Sequence, residues 1–137
     1  MKLVVDTNVI LKALIRDSTV RALLLNPERD LCVPEYTFEE LEKHMNTIVE
    51  KSGLFREEIQ KVLSTLLTKI LVLPAKEIAE EWERAEAVIG WVDPKDVPFV
   101  AAALSVHADG IWSDNKDLKR QKEVRVWNTA EIKRVLH

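Results

Sequence analysis

The chain of 137 residues is poor in cysteine, glycine, proline and histidine, and each shortage excludes a kind of protein. The single cysteine, Cys32, excludes an intrachain disulfide and suits a reducing compartment, so we expect a cytoplasmic protein. Three glycines and five prolines predict short loops without flexible linkers. The three histidines lie far apart in the sequence, which argues against a site built on imidazole ligands.

Long apolar runs and an excess of basic residues are also missing. No apolar run approaches the roughly 18 residues that a membrane span needs, and Asp6 comes too early for a signal peptide, so we expect no membrane association. The net charge of −3 argues against a strongly basic surface for nucleic acid. A nucleic-acid enzyme is still allowed, because an acidic metal site adds negative charge that its cation neutralises.

The chain does contain a regular alternation of short apolar runs and amphipathic segments, and its length predicts one domain over 1–137. We predict strands at 3–5, 31–33, 70–73, 111–113 and 124–127. Helices are expected at 8–15, 18–25, 37–51, 56–69, 77–89, from Asp93-Pro94 to about 108, and 129–136. Strands that alternate with helices predict an α/β fold, with a parallel sheet between two helical layers.

Several residues are predicted to begin or end these helices. Thr37 and Glu40 match a capping box, and Asp93 before Pro94 is typical of an N-cap followed by proline at the first helical position. The other predicted caps and stops are Ser18 and Asn128 or Thr129 as N-caps, and Gly53 and Gly110 as helix ends.

Acids and amides follow the predicted strands, at the edge where parallel sheets bind ligands. The first strand is followed by Asp6-Thr7-Asn8, the second by Glu39 and Glu40, and the fourth by Ser113-Asp114-Asn115-Lys116-Asp117, while Asp93 and Asp96 lie on the helix before the fourth strand. Oxygen ligands with few nitrogens or sulfurs select a hard cation, Mg²⁺ or Mn²⁺.

These residues resemble the motifs of the PIN domain family, nucleases that include the VapC-type toxins. The matches are Val4-Val5-Asp6-Thr7-Asn8-Val9, Glu40 in Glu39-Glu40-Leu41, Asp96 before Val97-Pro98-Phe99, and Ser113-Asp114-Asn115-Lys116-Asp117-Leu118. The resemblance implies a single-domain α/β/α sandwich with sheet order 3-2-1-4-5. It also implies a Mg²⁺- or Mn²⁺-dependent endoribonuclease that hydrolyses single-stranded RNA, a homodimer, and an antitoxin partner if the protein is a toxin.

The resemblance also implies a set of site residues. The catalytic acids are Asp6, Glu40, Asp96 and Asp114, and Asp117 joins them as a metal ligand. Asn8, Ser113 and Asn115 are expected to orient water or ligands. Asn115 stands where the family usually has an acid, so Asp114, Asn115 and Asp117 remain alternatives for the fourth ligand.

Structural roles compete with each of these assignments. Asp6 suits a helix cap, Glu40 the capping box with Thr37, and Asp96 a first-turn acid that the helix dipole favours. Asp114 and Asp117 are ordinary turn residues. The basic residues Lys116, Lys119 and Arg120 are either a solvated face or a rim that contacts RNA phosphates.

Two other functions remain open from the sequence alone. The first is a phosphatase or receiver-type α/β domain, although Asn8 stands where the phosphatases need a second acid. The second is a PIN fold without catalysis that binds RNA or a protein, a hypothesis that Asn115 in the fourth motif leaves open.

Overall fold

The computed structural model describes residues 1–15, 18–26 and 29–136, with the backbone alone at Ser18 and Leu136. One sheet contains the strands β1 (Lys2–Val5), β2 (Asp30–Pro34), β3 (Ile70–Leu73), β4 (Gly110–Trp112) and β5 (Val126–Trp127). Neighbouring strands pair in parallel in the order β3-β2-β1-β4-β5, which confirms the predicted sheet and its order. The strand order reverses between β1 and β4, where open α/β sheets bind their ligands.

Helices connect the strands and cover the sheet. The described α-helices are α1 (Thr7–Ile15), α2 (Ser18–Leu24), α3 (Tyr36–Lys43), α4 (Met45–Ser52), α5 (Arg56–Leu67), α6 (Ala75–Ile78), α7 (Trp82–Ala85), α8 (Val97–Ser105) and α9 (Thr129–Leu136). Short 3-10 helices span Ala79–Glu81, Pro94–Asp96 and Lys116–Arg120, and a π-helical turn spans Glu86–Gly90. Among the described helices, none combines the length and the hydrophobicity of a transmembrane segment.

Both faces of the central strands β1 and β4 are buried, and successive side chains of each strand point into opposite cores. In β1, Leu3 and Val5 pack into the core beneath α1, α4 and α5, while Val4 packs into the core beneath α8. In β4, Trp112 joins the first core and Ile111 the second. The two cores hold the carboxyl ends of β1 and β4 side by side, which fixes the residues that follow them.

The predicted capping box at Thr37 is wrong. Thr37 lies inside α3 and is buried, and its hydroxyl oxygen accepts the hydroxyl of Thr7 at 3.4 Å instead of capping a helix end. The predicted helix 37–51 is also two helices, because the backbone turns at His44 before α4 begins. Glu58 makes a capping contact elsewhere, since its carboxylate accepts the backbone N–H of Phe55 at the start of α5.

Two further helix predictions need correction. The expected helix 77–89 is a succession of α, 3-10 and π turns. The segment expected to be helical to about 108 contains the 3-10 helix Pro94–Asp96 and then α8, which ends at Ser105. His107, two residues further on, has a left-handed backbone conformation (φ 52°). Gly110 does not end this helix but belongs to β4, where a Cβ atom would lie 2.6 Å from the carbonyl oxygen of Arg125. Close packing against β5 therefore explains the glycine.

Other boundaries differ from prediction by a few residues, most of all β5, which contains only Val126 and Trp127. The N-cap at Asp93 is confirmed, because its carboxylate accepts the backbone N–H of Lys95. Asn128 caps α9 as predicted, and Gly53 ends α4 in the left-handed conformation (φ 72°). The side chain of Ser18, a predicted cap, lies outside the described part of the chain.

Candidate active site

Asp6 lies at the carboxyl end of β1, directly against the end of β4. Its backbone N–H donates to the carbonyl of Trp112 at 3.0 Å, and its carboxylate accepts the hydroxyl of Ser113 at 2.6 Å. The backbone N–H groups of Thr7 and Asn8 also donate to this carboxylate, so Asp6 does cap α1. Asp6 is nonetheless 4% exposed, and burial raises its pKa above the ordinary value despite these hydrogen bonds.

Asp96 is the second buried acid of this edge, at the end of the 3-10 helix that leads into α8. It is 5% exposed, and among the described residues its Oδ2 has no hydrogen-bond partner. Burial, together with the weaker effect of the charges of Asp6, Asp93, Asp117 and Glu40, raises its pKa from 3.8 to about 7. A buried, unpaired carboxylate oxygen surrounded by other carboxylates is what a bound cation would stabilise.

Glu40 reaches this cluster from α3 and is half-buried. The phenol of Tyr36, one turn earlier, hydrogen-bonds its carboxylate. Burial raises the pKa of Tyr36, and the charges of Glu40 and Glu39 add to the effect. The Tyr36 ring packs edge-on against Phe99 of α8 with a centroid distance of 6.3 Å, which ties α3 to the helix that follows Asp96. Sequence reasoning missed Tyr36, although its spacing of four residues from Glu40 was a usable signal.

Asp114 has a different environment from Asp6 and Asp96. Its carboxylate accepts Lys12 Nζ at 2.8 Å, the backbone N–H of Thr129 at 2.7 Å and the Thr129 hydroxyl at 2.8 Å. Burial alone raises the pKa of Asp114, but the hydrogen bonds from Lys12 and Thr129 outweigh it, so the pKa lies below its ordinary value. Asp114 therefore holds the start of α9 to α1, with its charge already neutralised by Lys12.

Asn115 and Asp117 form the rest of the fourth motif. The backbone N–H of Asn115 donates to the Ser113 hydroxyl at 3.0 Å, and its side-chain oxygen accepts the N–H of Asp117 at 3.0 Å. Asn115 thus caps the 3-10 helix Lys116–Arg120. Asp117 is exposed, and its charge acts on Asp96. Asn8 is exposed too, and its side chain lies with Lys12 and Asn115 along a groove of about 500 Å³.

The acids thus surround Asp96 without converging on one point. Within the described ranges, no three histidine, cysteine, aspartate or glutamate side chains form a group arranged to hold a metal ion. Carboxylates that lack a cation repel one another, which favours such separation. Their oxygen atoms and the unpaired Oδ2 of Asp96 nevertheless fit a hard divalent cation in chemical type.

The three predicted phosphate-contacting residues are all exposed but have different neighbours. Lys119 is paired with Glu131 at 2.8 Å. The guanidinium of Arg120 lies over the ring of Trp91, 5.2 Å from its centroid. Lys116 follows Asn115 at the start of the 3-10 helix that also carries Asp117.

Comparison with known proteins agrees with this architecture. The family model of the PIN domain matches residues 4–137. Eleven chains of solved structures match, among them VapBC2 from Rickettsia felis bound to a DNA fragment from its promoter. That alignment has a TM-score of 0.71 and 14% identity, and it covers 93% of this chain and 98% of the other. At this identity the likeness concerns the fold. No curated protein sequence matches the chain.

Proposed function

Since the chain belongs to the PIN domain family, we propose that it is a metal-dependent endoribonuclease acting on single-stranded RNA. Membership in this family removes the reason to prefer a phosphatase or a receiver-type domain. The proposal places the reaction at the edge of the sheet where Asp6, Glu40 and Asp96 lie.

The observation that carries the proposal is the state of Asp96. Its carboxylate is 5% exposed, has an oxygen without a hydrogen-bond partner among the described residues and has a pKa of about 7, which is unfavourable for folding at neutral pH. Such perturbed carboxyl groups cluster at functional sites, which supports a functional role for Asp96. A divalent cation would remove the penalty by pairing with the charge.

We assign Asp6, Glu40, Asp96 and Asp117 as the residues that would hold Mg²⁺ or Mn²⁺. When bound, the cation supplies a water of lowered pKa and neutralises charge on the attacked phosphate. We choose Asp117 over Asp114 because the charge of Asp117 acts on Asp96, whereas Lys12 and Thr129 already occupy both oxygens of Asp114. Asn115 is assigned to shaping the loop, since it caps the 3-10 helix that carries Asp117.

The surrounding residues orient these acids. Ser113 donates to Oδ2 of Asp6 at 2.6 Å, and the backbone N–H groups of Thr7 and Asn8 at the start of α1 also favour the charged form of this carboxylate. Tyr36 holds Glu40 by its phenol in the same manner. Asn8 contributes through its backbone N–H, and its exposed amide is available to water or substrate.

Cleavage of a labelled single-stranded RNA tests the proposal. We expect cleavage with Mg²⁺ or Mn²⁺, none with EDTA, and none by Asp6→Asn, whose fold is checked by circular dichroism. Asp30→Asn is the matched control, because Asp30 is an exposed acid at the amino end of β2, on the other edge of the sheet. Equal cleavage by wild type and Asp6→Asn would refute the assignment.

A second candidate function is a PIN fold that binds RNA or protein without catalysis. It is favoured by the neutralisation of Asp114 and by the lack of three grouped metal ligands among the described residues. A calorimetric titration with Mn²⁺ separates the two functions. Heat of binding that disappears in Asp6→Asn supports the nuclease, and no binding by the wild type supports the idle fold.

We also propose that the protein is a toxin with an antitoxin protein as its partner. The support is the VapBC2 complex, whose PIN-like fold this chain shares over 93% of its length. Growth arrest on expression of the wild type, but not of Asp6→Asn, would be the expected result. A homodimer and a cytoplasmic location stay predictions, and sedimentation velocity tests the first.

A further inference from the structure

Trp91 is a large aromatic side chain left at the surface beside the acidic site. It is 62% exposed, whereas Trp112 and Trp127 lie in the core. Its indole N–H donates to the carbonyl of Val88 at 2.9 Å, so its one polar group is satisfied within its own turn. The ring is therefore fixed in position and presents aromatic surface to solvent, which contributes little to folding.

Arg120 lies over this ring, with its Cζ 5.2 Å from the ring centroid. Arg120 is exposed, and no ion pair involves it within the part of the chain that the structure describes. An aromatic ring beside an arginine is the combination that single-strand-binding surfaces use, because bases stack on both groups and phosphates pair with the guanidinium.

Each residue of the Trp91–Arg120 pair lies within three residues of an acid whose charge acts on Asp96. Arg120 ends the 3-10 helix Lys116–Arg120, and residues three apart in such a helix share one face, about 6 Å apart along the axis. Asp117 is therefore on the same face as Arg120, and the charge of Asp117 acts on Asp96. Trp91 lies two residues before Asp93, whose charge also acts on Asp96.

The surface around the ring suits an anionic chain. A groove of about 510 Å³ runs beside the ring and is also lined by Val88 and Lys122. Glu123 of the same groove is paired with Arg84 at 2.8 Å, so its charge is balanced. Among the described residues, Lys116 and Lys122 have no ion pair, which leaves basic charge for phosphates.

We propose that Trp91 and Arg120 form a stacking platform for one base of single-stranded RNA, close to the phosphate that is cleaved. The platform rests on the proposed nuclease function and adds a substrate-positioning surface to it. Stacking is tolerant of base identity, so the platform sets affinity and the position of the strand rather than sequence preference.

RNA affinity in EDTA tests the platform without requiring catalysis. Binding of a short, fluorescein-labelled, mixed-sequence single-stranded RNA is followed by anisotropy. We expect Trp91→Ala to raise Kd by about 5- to 150-fold, and Trp91→Phe to restore it to within about threefold. Phe55→Ala is the matched control. Phe55 is 75% exposed, and its neighbour Leu54 packs against the core on the other face of the sheet, so Kd should not change.

Tryptophan fluorescence distinguishes direct contact between Trp91 and RNA from a purely structural role of Trp91. RNA should quench the wild type, and Trp91→Phe should lose most of this quenching while it keeps its affinity. With Mn²⁺, Trp91→Ala should raise KM by a factor similar to that for Kd and change kcat little.

The outcomes separate the platform from the nuclease. Equal RNA affinity of wild type and Trp91→Ala, with cleavage intact, overturns the platform and leaves the nuclease. RNA binding that depends on Trp91 without any cleavage supports the platform and contradicts the nuclease. A wild type that binds no RNA overturns both.

Discussion

Two acidic corners lie side by side at the carboxyl edge of the sheet, and they have opposite electrostatics. At the Asp6–Asp96 corner, both carboxylates are almost fully buried, both pKa values are raised, and Oδ2 of Asp96 has no partner among the described residues. At the Asp114 corner, Lys12 and Thr129 satisfy the carboxylate and the pKa is lowered.

The surroundings of a carboxylate, rather than its residue type, distinguish an acid that can bind a ligand from one that stabilises the fold. A carboxylate whose pKa is raised in the fold weakens folding increasingly as the pH rises from its unfolded pKa to its folded pKa, and a cation would reverse the effect. A carboxylate with a lowered pKa contributes stability at neutral pH. The two corners should therefore respond to substitution in opposite ways.

Asp96→Asn should have the largest effect. We expect cleavage to fall by more than about 100-fold, because the unpaired oxygen that would meet the cation is lost. The metal-free variant should nevertheless be more stable than the wild type, with a Tm higher by about 3–8 °C at about pH 8, since no charge is buried.

The sign of this stability change follows from the pKa. Asp96 titrates near 7 when folded and near its ordinary value of 3.8 when unfolded, so its charge penalty is absent below about pH 4 and complete above about pH 7. The Tm difference between Asp96→Asn and wild type should therefore grow over that interval in thermal melts. A less stable variant at about pH 8 would contradict the account.

Ser113→Ala tests how far the Asp6 side of the same corner depends on orientation. Loss of the 2.6 Å hydrogen bond frees an oxygen of Asp6, so we expect Mn²⁺ affinity to fall by about 10- to 100-fold. Calorimetric titration measures this change. Ser105→Ala is the control, because the Ser105 hydroxyl donates to the Ala102 carbonyl within α8, away from the acids.

Tyr36→Phe should have a smaller effect, because it removes one hydrogen bond to Glu40 and keeps the packing on Phe99. We expect cleavage to fall by about 3- to 10-fold, which corresponds to one hydrogen bond. Steady-state kinetics measures the change. A value equal to wild type would show that Glu40 needs no support from the phenol.

Asp114→Asn should have the smallest effect on cleavage, whose rate should stay within about threefold of wild type. The substitution should instead lower the free energy of unfolding. We expect a loss of about 1–3 kcal/mol at pH 7 from the contacts with Lys12 and Thr129. Because the pKa of Asp114 is lowered in the fold, this stability is present above about pH 4 and is lost as the pH falls through the folded pKa. Urea unfolding of wild type and Asp114→Asn at several pH values measures this pH-dependent loss of stability.

Much of this architecture could be predicted from the sequence. Apolar runs predicted the five strands, and the acids after them predicted a candidate site at the carboxyl edge, because sheets of this type bind ligands at strand ends. The order of the strands came from the resemblance of the Asp6, Asp96 and Ser113 motifs to a known family. The model of that family then matched residues 4–137.

What the sequence could not provide depends on tertiary contacts. Lys12 lies 102 residues from Asp114, and no local pattern predicts their pairing. Thr37 has the pattern of a cap but lies inside a helix, because the chain already turns at Glu35. Gly110 resembles a helix stop, yet the close approach of β5 explains it. Tertiary packing, rather than the local sequence pattern, therefore determines which role each of these residues has.

Titration with Mn²⁺ by calorimetry tests the contrast between the two corners most directly. Wild type, Asp96→Asn and Asp114→Asn are compared in the absence of RNA. The account predicts that wild type and Asp114→Asn bind Mn²⁺ with affinities within about threefold of each other, and that Asp96→Asn does not bind measurably. Mn²⁺ binding that survives in Asp96→Asn but is lost in Asp114→Asn would place the metal at Asp114 rather than at Asp96 and would contradict the proposed site.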